Sequence, residues 1–540
     1  MRVRASVVVA GLILSGCSRS PTFTHDIGPI LQTRCAPCHH VGGAGPFPLV
    51  TYADAKPRAR QIERVTERGY MPPWKASPTV HYANERILDA GQRALLQRWA
   101  TAGAPRGDGA EPRAPDFHDG WQLGTPDAVV KLPAYTLAAD GPDVYRNFVL
   151  PSPLPGTRYI AAWDFRPDTR AVHHAILNLD STGWARKRDA LDAAPGFDGM
   201  DPGDIQAPDG FYLVWTPGQA PTPPDANAAW PLAAHTDLVL QLHLRPTGKP
   251  EVIAPTIALY VAPAPPTEAR VTLRIGDVPI DLAPGVRNYK IHDQWTLPVA
   301  VELISLFPHA HYLAQKMRVW ARLPDGHEQP LLTIDDWDPA WQDQYVLAQP
   351  MALPRGSTVA MEFTYDNSAS NPRNPNRPPA RVVTGERTID EMGNVTLVAR
   401  VASAADKLQL REAKFRRQLA AGAGAKAHYN LGNTLMAEGR AKEAVEELRR
   451  ALTLDGDLMA AQVNLGAALL ATGDIDGARA QLDAAARRWP DSATAHANLG
   501  RALVAAGQRD AGAAELERAL TLEPTFAPAR AALDALRRRP

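Results

Sequence analysis

Leu306-Phe307-Pro308-His309-Ala310-His311-Tyr312 is an apolar run holding two histidines two residues apart. On a β-strand side chains repeat every two residues, so His309 and His311 project to one face. Two imidazoles on one face form a two-point grip for a metal. Taken singly, such a histidine is more often a satisfied structural residue than a ligand. Yet an imidazole among apolar neighbours needs a partner, and two more such places lie upstream. His173 and His174 sit in Ala171-Val172-His173-His174-Ala175-Ile176-Leu177, and His243 sits in Leu240-Gln241-Leu242-His243-Leu244. Adjacent residues of a regular strand face opposite ways. His173 and His174 can therefore share a metal only if the backbone bulges or ends there.

The surrounding region has one pattern. Between about Pro126 and Val401, segments such as 144–150, 159–165, 238–244, 271–275, 299–306 and 359–365 alternate apolar and polar residues, with Pro, Gly, Asn and Asp between them. Short strands with such turns indicate an all-β region. Its length suggests two sandwiches, 127–268 and 269–401.

Upstream, Cys35-Ala36-Pro37-Cys38-His39 is the c-type haem attachment pattern. Each thiol adds to a haem vinyl group and the histidine reaches the iron. A zinc or redox CxxC is the alternative, but no second CxxC completes a zinc site. Residues 22–107 read as a small helical unit around this motif, with amphipathic stretches at 26–33, 53–68 and 89–102. Gly69-Tyr70-Met71-Pro72-Pro73-Trp74 resembles the distal methionine loop of a class I cytochrome c. The resemblance makes Met71 the sixth iron ligand, with His81 or water as alternatives. His40, next to His39, is poorly placed for the opposite haem face. Residues 108–126 read as a linker.

The chain begins with a short basic stretch, then Val7 to Leu14, apolar but too short to span a bilayer. Leu14-Ser15-Gly16-Cys17 resembles a bacterial lipobox. The resemblance implies a signal peptide over 1–17, lipid on Cys17, and a periplasm-facing protein of the cell envelope; Ser18 favours the outer membrane. An ordinary secretory signal is the alternative, and either is compatible with c-type haem. The three cysteines are thus assigned to lipid and haem, leaving none for a disulfide. Lys plus Arg equals Asp plus Glu, 58 each, so nothing suggests nucleic acid, and the only membrane contact expected is the lipid anchor.

Past Ser403 the composition shifts to alanine, and only four of the 50 prolines lie there. Asn430-Leu431-Gly432 recurs at Asn464-Leu465-Gly466 and Asn498-Leu499-Gly500, a period of 34. Residues 425–540 resemble three tetratricopeptide repeats with a capping helix from Ala527 to Arg538, after a linker over 402–424. The resemblance implies a protein-interaction surface, with a plain spacer as the alternative.

From about Trp121 to Met392 the chain resembles the type II copper monooxygenases, the family of peptidylglycine α-hydroxylating and dopamine β-monooxygenases. That resemblance implies a fold of two jelly-roll-like sandwiches with one copper each, facing across a cleft. It implies that His173, His174 and His243 hold one copper. It likewise implies that His309, His311 and Met392, the last in Asp390-Glu391-Met392-Gly393-Asn394, hold the catalytic one. Read alone, Met392 would be a core methionine. Asn394 matches a family asparagine, but Phe307 and Thr396 stand where the peptide-hydroxylating enzyme grips a carboxylate with arginine and tyrosine. A glycine-extended peptide is therefore not expected as substrate.

The whole chain thus reads as multidomain: an all-α cytochrome c-like domain, two all-β sandwiches and an all-α repeat solenoid. The expected function is a copper-dependent monooxygenase that hydroxylates an unidentified small substrate with O2. One covalent haem c supplies electrons to two coppers, with the three-histidine copper as first acceptor. A haem/copper electron-transfer or copper-binding protein without oxygen chemistry is the second reading. A tetratricopeptide scaffold with structural upstream domains is the third.

Overall fold

The computed structural model describes residues 19–41, 43, 45–83, 85–113, 121–181, 183–199, 211–217, 219, 221–234, 236–385, 387, 389–524 and 526–538. The expected lipid attachment at Cys17 lies outside the described residues.

The N-terminal unit is helical. A helix runs through Gly28–Arg34, a second through Ala59–Glu67 and a third through Ala90–Thr101. Asp89 starts the third with a reciprocal cap: its side chain accepts from Gln92 N–H while Gln92 accepts from the Asp89 N–H. Phe23, Ile27, Leu31, Leu96 and Trp99 form the core, with Cys35 and Phe47 packed against it.

The middle region is β-rich and divides into two sandwiches. In the first, a five-stranded sheet has the order Phe197–Asp198, Val144–Leu150, Asp237–Leu244, Val172–Asp180, Leu213–Trp215. It packs on a four-stranded sheet of Ala128–Lys131, Thr256–Ala262, Arg158–Arg166 and Trp230–Leu232. The strand Asp237–Leu244 is buried along its whole length, as befits the centre of a covered sheet. In the second sandwich, Ala269–Gly276, Gly393–Val401, Val301–Ala310 and Tyr345–Leu353 form one sheet. Arg287–Thr296, Thr358–Asp366, Ala314–Arg322 and Glu328–Ile334 form the other.

Residues 70–86 leave the helical unit and dock on the second sandwich. Ala76 bridges to Ile334 and Tyr82 to Leu347. The Tyr82 hydroxyl donates to the Leu331 carbonyl at 2.8 Å. Ala76 and Tyr82 are members of the sandwich's own core cluster. The stretch resembling a distal methionine loop is therefore also an interdomain strap.

The C-terminal region is an all-α repeat. Helices Ala425–Ala437 and Ala441–Leu454, Met459–Thr472 and Ile475–Arg488, Ala493–Ala505 and Arg509–Leu522 form three pairs, closed by Ala527–Arg538. Gly439, Gly473 and Gly507 turn between the helices of each pair at φ of 77°, 84° and 79°, a conformation that glycine adopts without strain. At Gly466 an added Cβ would fall 2.3 Å from Leu482 Cγ, so the small residue sets how closely that pair packs.

The stretch 402–424, read as a linker, is instead mostly a helix, Ala404–Ala420. Leu410 enters the core of the second sandwich and Phe415 the core of the repeats. Arg417 pairs with Asp293 and donates to the Gln294 carbonyl. The helix bolts one domain to the other. Deleting 425–540 is expected to leave the spectra of the haem and metals expected upstream unchanged, because stacked repeats contact mainly their neighbours. The bolt, retained in that truncation, keeps Leu410 in place. Loss of bound metal from the soluble truncated protein would show that the repeats complete the upstream sites.

Candidate metal centres

His173, His174 and His243 meet on two adjacent strands. His174 pairs with His243 in the register of Val172–Asp180 against Asp237–Leu244. The register shifts between Val172 and His174, so His173 occupies the bulge that an adjacent pair requires. His174 Nδ1 lies 3.4 Å from Nδ1 of His173 and 3.4 Å from Nδ1 of His243. The three ligand atoms fall within 4.8 Å of one another.

The chemistry of this donor set fits a metal ion. Burial, and then the neighbouring His243, pushes His173 down to about 3. Burial pushes His174 well below the ordinary imidazole value, helped by His243 and His173. Neutral imidazoles with converging lone pairs repel unless a cation sits among them. His173 Nε2 is also buried without a hydrogen-bond partner. His243 Nε2–H donates to Asp143 Oδ2 at 2.7 Å, which turns Nδ1 toward the cluster. Burial, the largest influence, raises the Asp143 carboxyl, but the His243 bond together with the charges of His243, Arg245 and His173 outweighs it and holds Asp143 below its usual range. Tyr145 stacks on the His243 ring at 4.3 Å and fixes its plane.

Asp143 and Tyr145 are supports that sequence reasoning missed. Asp143→Ala frees the His243 ring to rotate. Such changes typically cost about 10–100-fold in metal affinity. A metal titration of Asp143→Ala against wild type checks this, and equal affinities would contradict it.

His309 and His311 lie at the end of the strand Val301–Ala310, with ring centroids 5.3 Å apart and edge-on. His309 Nδ1–H donates to Gln342 Oε1 at 2.7 Å, and His311 Nδ1–H donates to the Asp390 carbonyl at 3.0 Å. Both Nε2 atoms are left as lone pairs. Burial, then His311, pushes His309 down to about 3. Sheet register brings the backbone at Met392 to the same end of the sheet. His309 pairs with Asn394 and Ala310 with Gly393, so His311 and Met392 flank the same end of this strand pair.

A buried carboxylate organises this end of the sheet. Glu391 is 0% exposed. Its Oε2 accepts from the backbone N–H of His311 and of Met392, each at 2.8 Å. Its Oε1 accepts from Leu313 N–H at 2.8 Å. One side chain thus sets the backbone of two expected ligands. The Tyr365 hydroxyl donates to the Met392 carbonyl at 2.9 Å. Trp337 Nε1–H donates to the His311 carbonyl at 3.1 Å.

The two histidine groups lie close enough to influence each other's charge. His309 is among the charges that lower His174, and His243 is among those that lower His309. Phe307 pairs with Thr396 in the sheet, and its ring meets Tyr212 of the first sandwich at 5.3 Å. Beyond them a cavity of about 230 Å³ opens between the sandwiches, with Trp163, Phe165, Tyr212, Trp215, Ile304 and Val398 in its walls. Asn394 Nδ2 is buried and without a partner.

In the helical unit, Cys35 to His39 form one tight turn after the helix Gly28–Arg34. Cys38 N–H and His39 N–H both donate to the Cys35 carbonyl. His39 Nδ1–H donates to the Phe47 carbonyl at 2.9 Å, leaving Nε2 for a metal. Burial pushes the Cys35 thiol up to about 12 and raises Cys38. Thiols held protonated are unlike the lowered thiols of reactive CxxC motifs. These residues fit covalent haem attachment.

Met71 is half-buried where the helix Ala59–Glu67 gives way to the docked strap, its N–H donating to the Val65 carbonyl at 3.1 Å. His81 is largely exposed and sits beside Glu85 at 3.5 Å. His40 Nδ1 turns back on the Val41 carbonyl.

Comparison with known proteins bears on the C-terminal region. Residues 435–499 match the family model of the tetratricopeptide repeat. The crystal structure of YrrB, a TPR protein with an unusual peptide-binding site, is 25% identical and covers 24% of this chain and 68% of that one, with a TM-score of 0.23. The crystal structure of MamA is 21% identical and covers 25% of this chain and 84% of that one, with a TM-score of 0.23. The NMR structure of the first TPR domain of human RPAP3 is 20% identical and covers 21% and 89%, with a TM-score of 0.20. No curated protein matches the chain. The C-terminal region is a tetratricopeptide protein-interaction module.

Proposed function

We propose that this chain is a copper-dependent monooxygenase that hydroxylates a C–H bond of a small, largely apolar substrate with O2. Its electrons would come from a haem held covalently in its own helical unit. The observation that carries this is the pair of imidazole groups on the two sandwiches, each with ring nitrogens converging or left open. His173, His174 and His243 would hold one copper, and His309, His311 and Met392 the other. Bound copper supplies one-electron redox chemistry and activation of O2. Three imidazoles suit a metal that changes oxidation state with little rearrangement, whereas two imidazoles and a thioether favour Cu(I).

The chain's own residues do the rest. Asp143 fixes the His243 tautomer, and Gln342 and the Asp390 carbonyl fix those of His309 and His311. Asn394, opposite His309 in the sheet, offers an unsatisfied amide N–H to a polar group on the substrate. Phe307 and Tyr212 close one side of the cleft with apolar surface, where a carboxylate clamp would need charge. The cavity beside Tyr212 has aromatic walls together with Asp164, Asp225 and Arg270, which suits an aromatic substrate body carrying a polar group.

Cys35, Cys38 and His39 would hold the haem, with Met71 favoured over the exposed His81 as sixth ligand. A lipid anchor at Cys17 would place the protein at the periplasmic side of a bacterial outer membrane. The repeats would bring a protein partner.

The test is oxygen uptake by copper-loaded, haem-matured protein with a panel of neutral aromatic and aliphatic compounds and isotopically labelled O2. Label in an alcohol product is expected. Full metal and haem content with no label in any product would favour an electron-transfer or copper-binding protein instead. Met392→His is the sharper variant. It should keep its copper but lose oxygen uptake, because an imidazole favours Cu(I) less than a thioether does. Undiminished uptake would remove Met392 from the site.

A further inference from the structure

The helix Ala404–Ala420 has two working faces. Leu410 and Ala413 pack on the core of the second sandwich, and Phe415 and Leu419 pack on the core of the repeats. Arg417, one turn beyond Ala413, continues the sandwich face. Its guanidinium pairs with Asp293 and donates to the Gln294 carbonyl at 2.7 Å.

Asp293 carries this contact toward the strand that follows Met392. The carboxylate oxygen that takes Arg417 also accepts from Gly276 N–H at 2.7 Å. Gly276 and Asp277 form a left-handed corner, at φ of 103° and 59°. Glycine adopts such a φ freely, whereas aspartate does so at a cost, so the corner has to be held by its surroundings. Arg274 donates to Asp277 Oδ1 at 2.7 Å. Asp277 N–H donates in turn to the Gly393 carbonyl at 3.0 Å. Gly276 pairs with Asn394 in the sheet, and a side chain at Gly276 would collide with Gly393 and Asn394. The corner therefore lies directly against the two residues after Met392, with Asp293 and Arg417 behind it.

We propose that Arg417 is a remote positioning residue for Met392. It acts through Asp293 and the corner Gly276-Asp277, so the helix that carries the repeats also sets where the strand Gly393–Val401 begins. The protein-interaction module and the second metal centre then share one element, and a displacement of the first repeat reaches Met392 through Arg417. The consequence for metal rests on the function proposed above, in which Met392 is a copper ligand. The placement of Met392 itself does not need the metal.

The experiment uses the full chain with isotope-labelled methionine methyl groups, read by NMR in metal-free protein. The Met392 signal is identified by its loss in Met392→Leu. It is expected to shift in Arg417→Ala and to return toward its wild-type position in Arg417→Lys, which keeps a cation beside Asp293. The Arg417 side chain is 32% exposed, so its loss leaves the chain folded. Asp293→Ala with Arg417→Ala should shift the signal no further than Asp293→Ala alone, because the arginine acts through that carboxylate. A Met392 signal unmoved by Arg417→Ala would overturn the coupling. So would a shift that Arg417→Lys does not reduce, which would mark a general loosening of the helix. Anaerobic titration with Cu(I) reads the consequence, the second centre in a His174→Ala background and the first in a His311→Ala background. Arg417→Ala should weaken binding at the second centre by about 10-fold or more, as loss of an outer support does, and leave the first unchanged. Equal weakening at both centres, or none at either, would overturn the role of Arg417 at the metal. Wild-type protein that binds no Cu(I) would sink the monooxygenase instead, and the methyl signals of the metal-free protein would still decide the coupling.

Discussion

Replacing Glu391 with alanine is expected to cost several kcal/mol of stability and, with it, the metal proposed for the second sandwich. The carboxylate is fully buried and accepts from three backbone N–H groups, those of His311, Leu313 and Met392. Each buried donor left unpaired costs about 1–3 kcal/mol, against a typical domain stability of about 5–15 kcal/mol. Two of the three donors belong to expected ligands, so the same change unfastens His311 and Met392. Glu391→Gln is the informative companion. Its amide oxygen can still accept on one side, but its NH2 faces a backbone donor on the other, so an intermediate loss is expected. Denaturant unfolding with metal content measured on the folded fraction checks both variants. Wild-type stability in Glu391→Ala would mean that the carboxylate does not hold this end of the sheet.

His311→Ala should abolish oxygen uptake while leaving the haem spectrum intact. His311 is one of three protein ligands proposed for the open copper, and its ring is fixed through the Asp390 carbonyl. Alanine removes the donor and leaves His309 and Met392, too few to hold a copper in a defined geometry. The haem motif lies in a separate helical unit with its own core, so its absorbance bands are expected to be unchanged. Copper-dependent oxygen uptake retained in this variant would remove His311 from the site.

Much of the site could be read in the sequence, because the histidines announce themselves against apolar strands. The requirement for a bulge at His173-His174 follows from strand geometry alone, and the register shift lies there. Their supports could not be read in the same way. Asp143 stands 100 residues before His243, and Gln342 stands 33 residues after His309. Nothing local in either stretch marks a partner so far along the chain. Glu391 left a faint signal, since an acidic residue two positions before an apolar strand needs an explanation. The strap 70–86 and the helix Ala404–Ala420 were obscured for a related reason. Each has an ordinary local reading, as a ligand loop and as a linker. Each owes its structure to distant contacts, Tyr82 with Leu331 in one case and Leu410 with the sandwich core in the other. The repeats were the easiest part, because a period of 34 residues repeats its own packing rule three times.

The most direct test is the metal content of protein matured in a periplasm, followed by stopped-flow absorbance of its reduced haem under air, with and without copper. One haem and two coppers per chain are expected, with reoxidation that depends on filled copper sites. A chain that binds no copper, or a haem that reoxidises at the same rate in copper-free protein, would contradict a haem-fed copper monooxygenase.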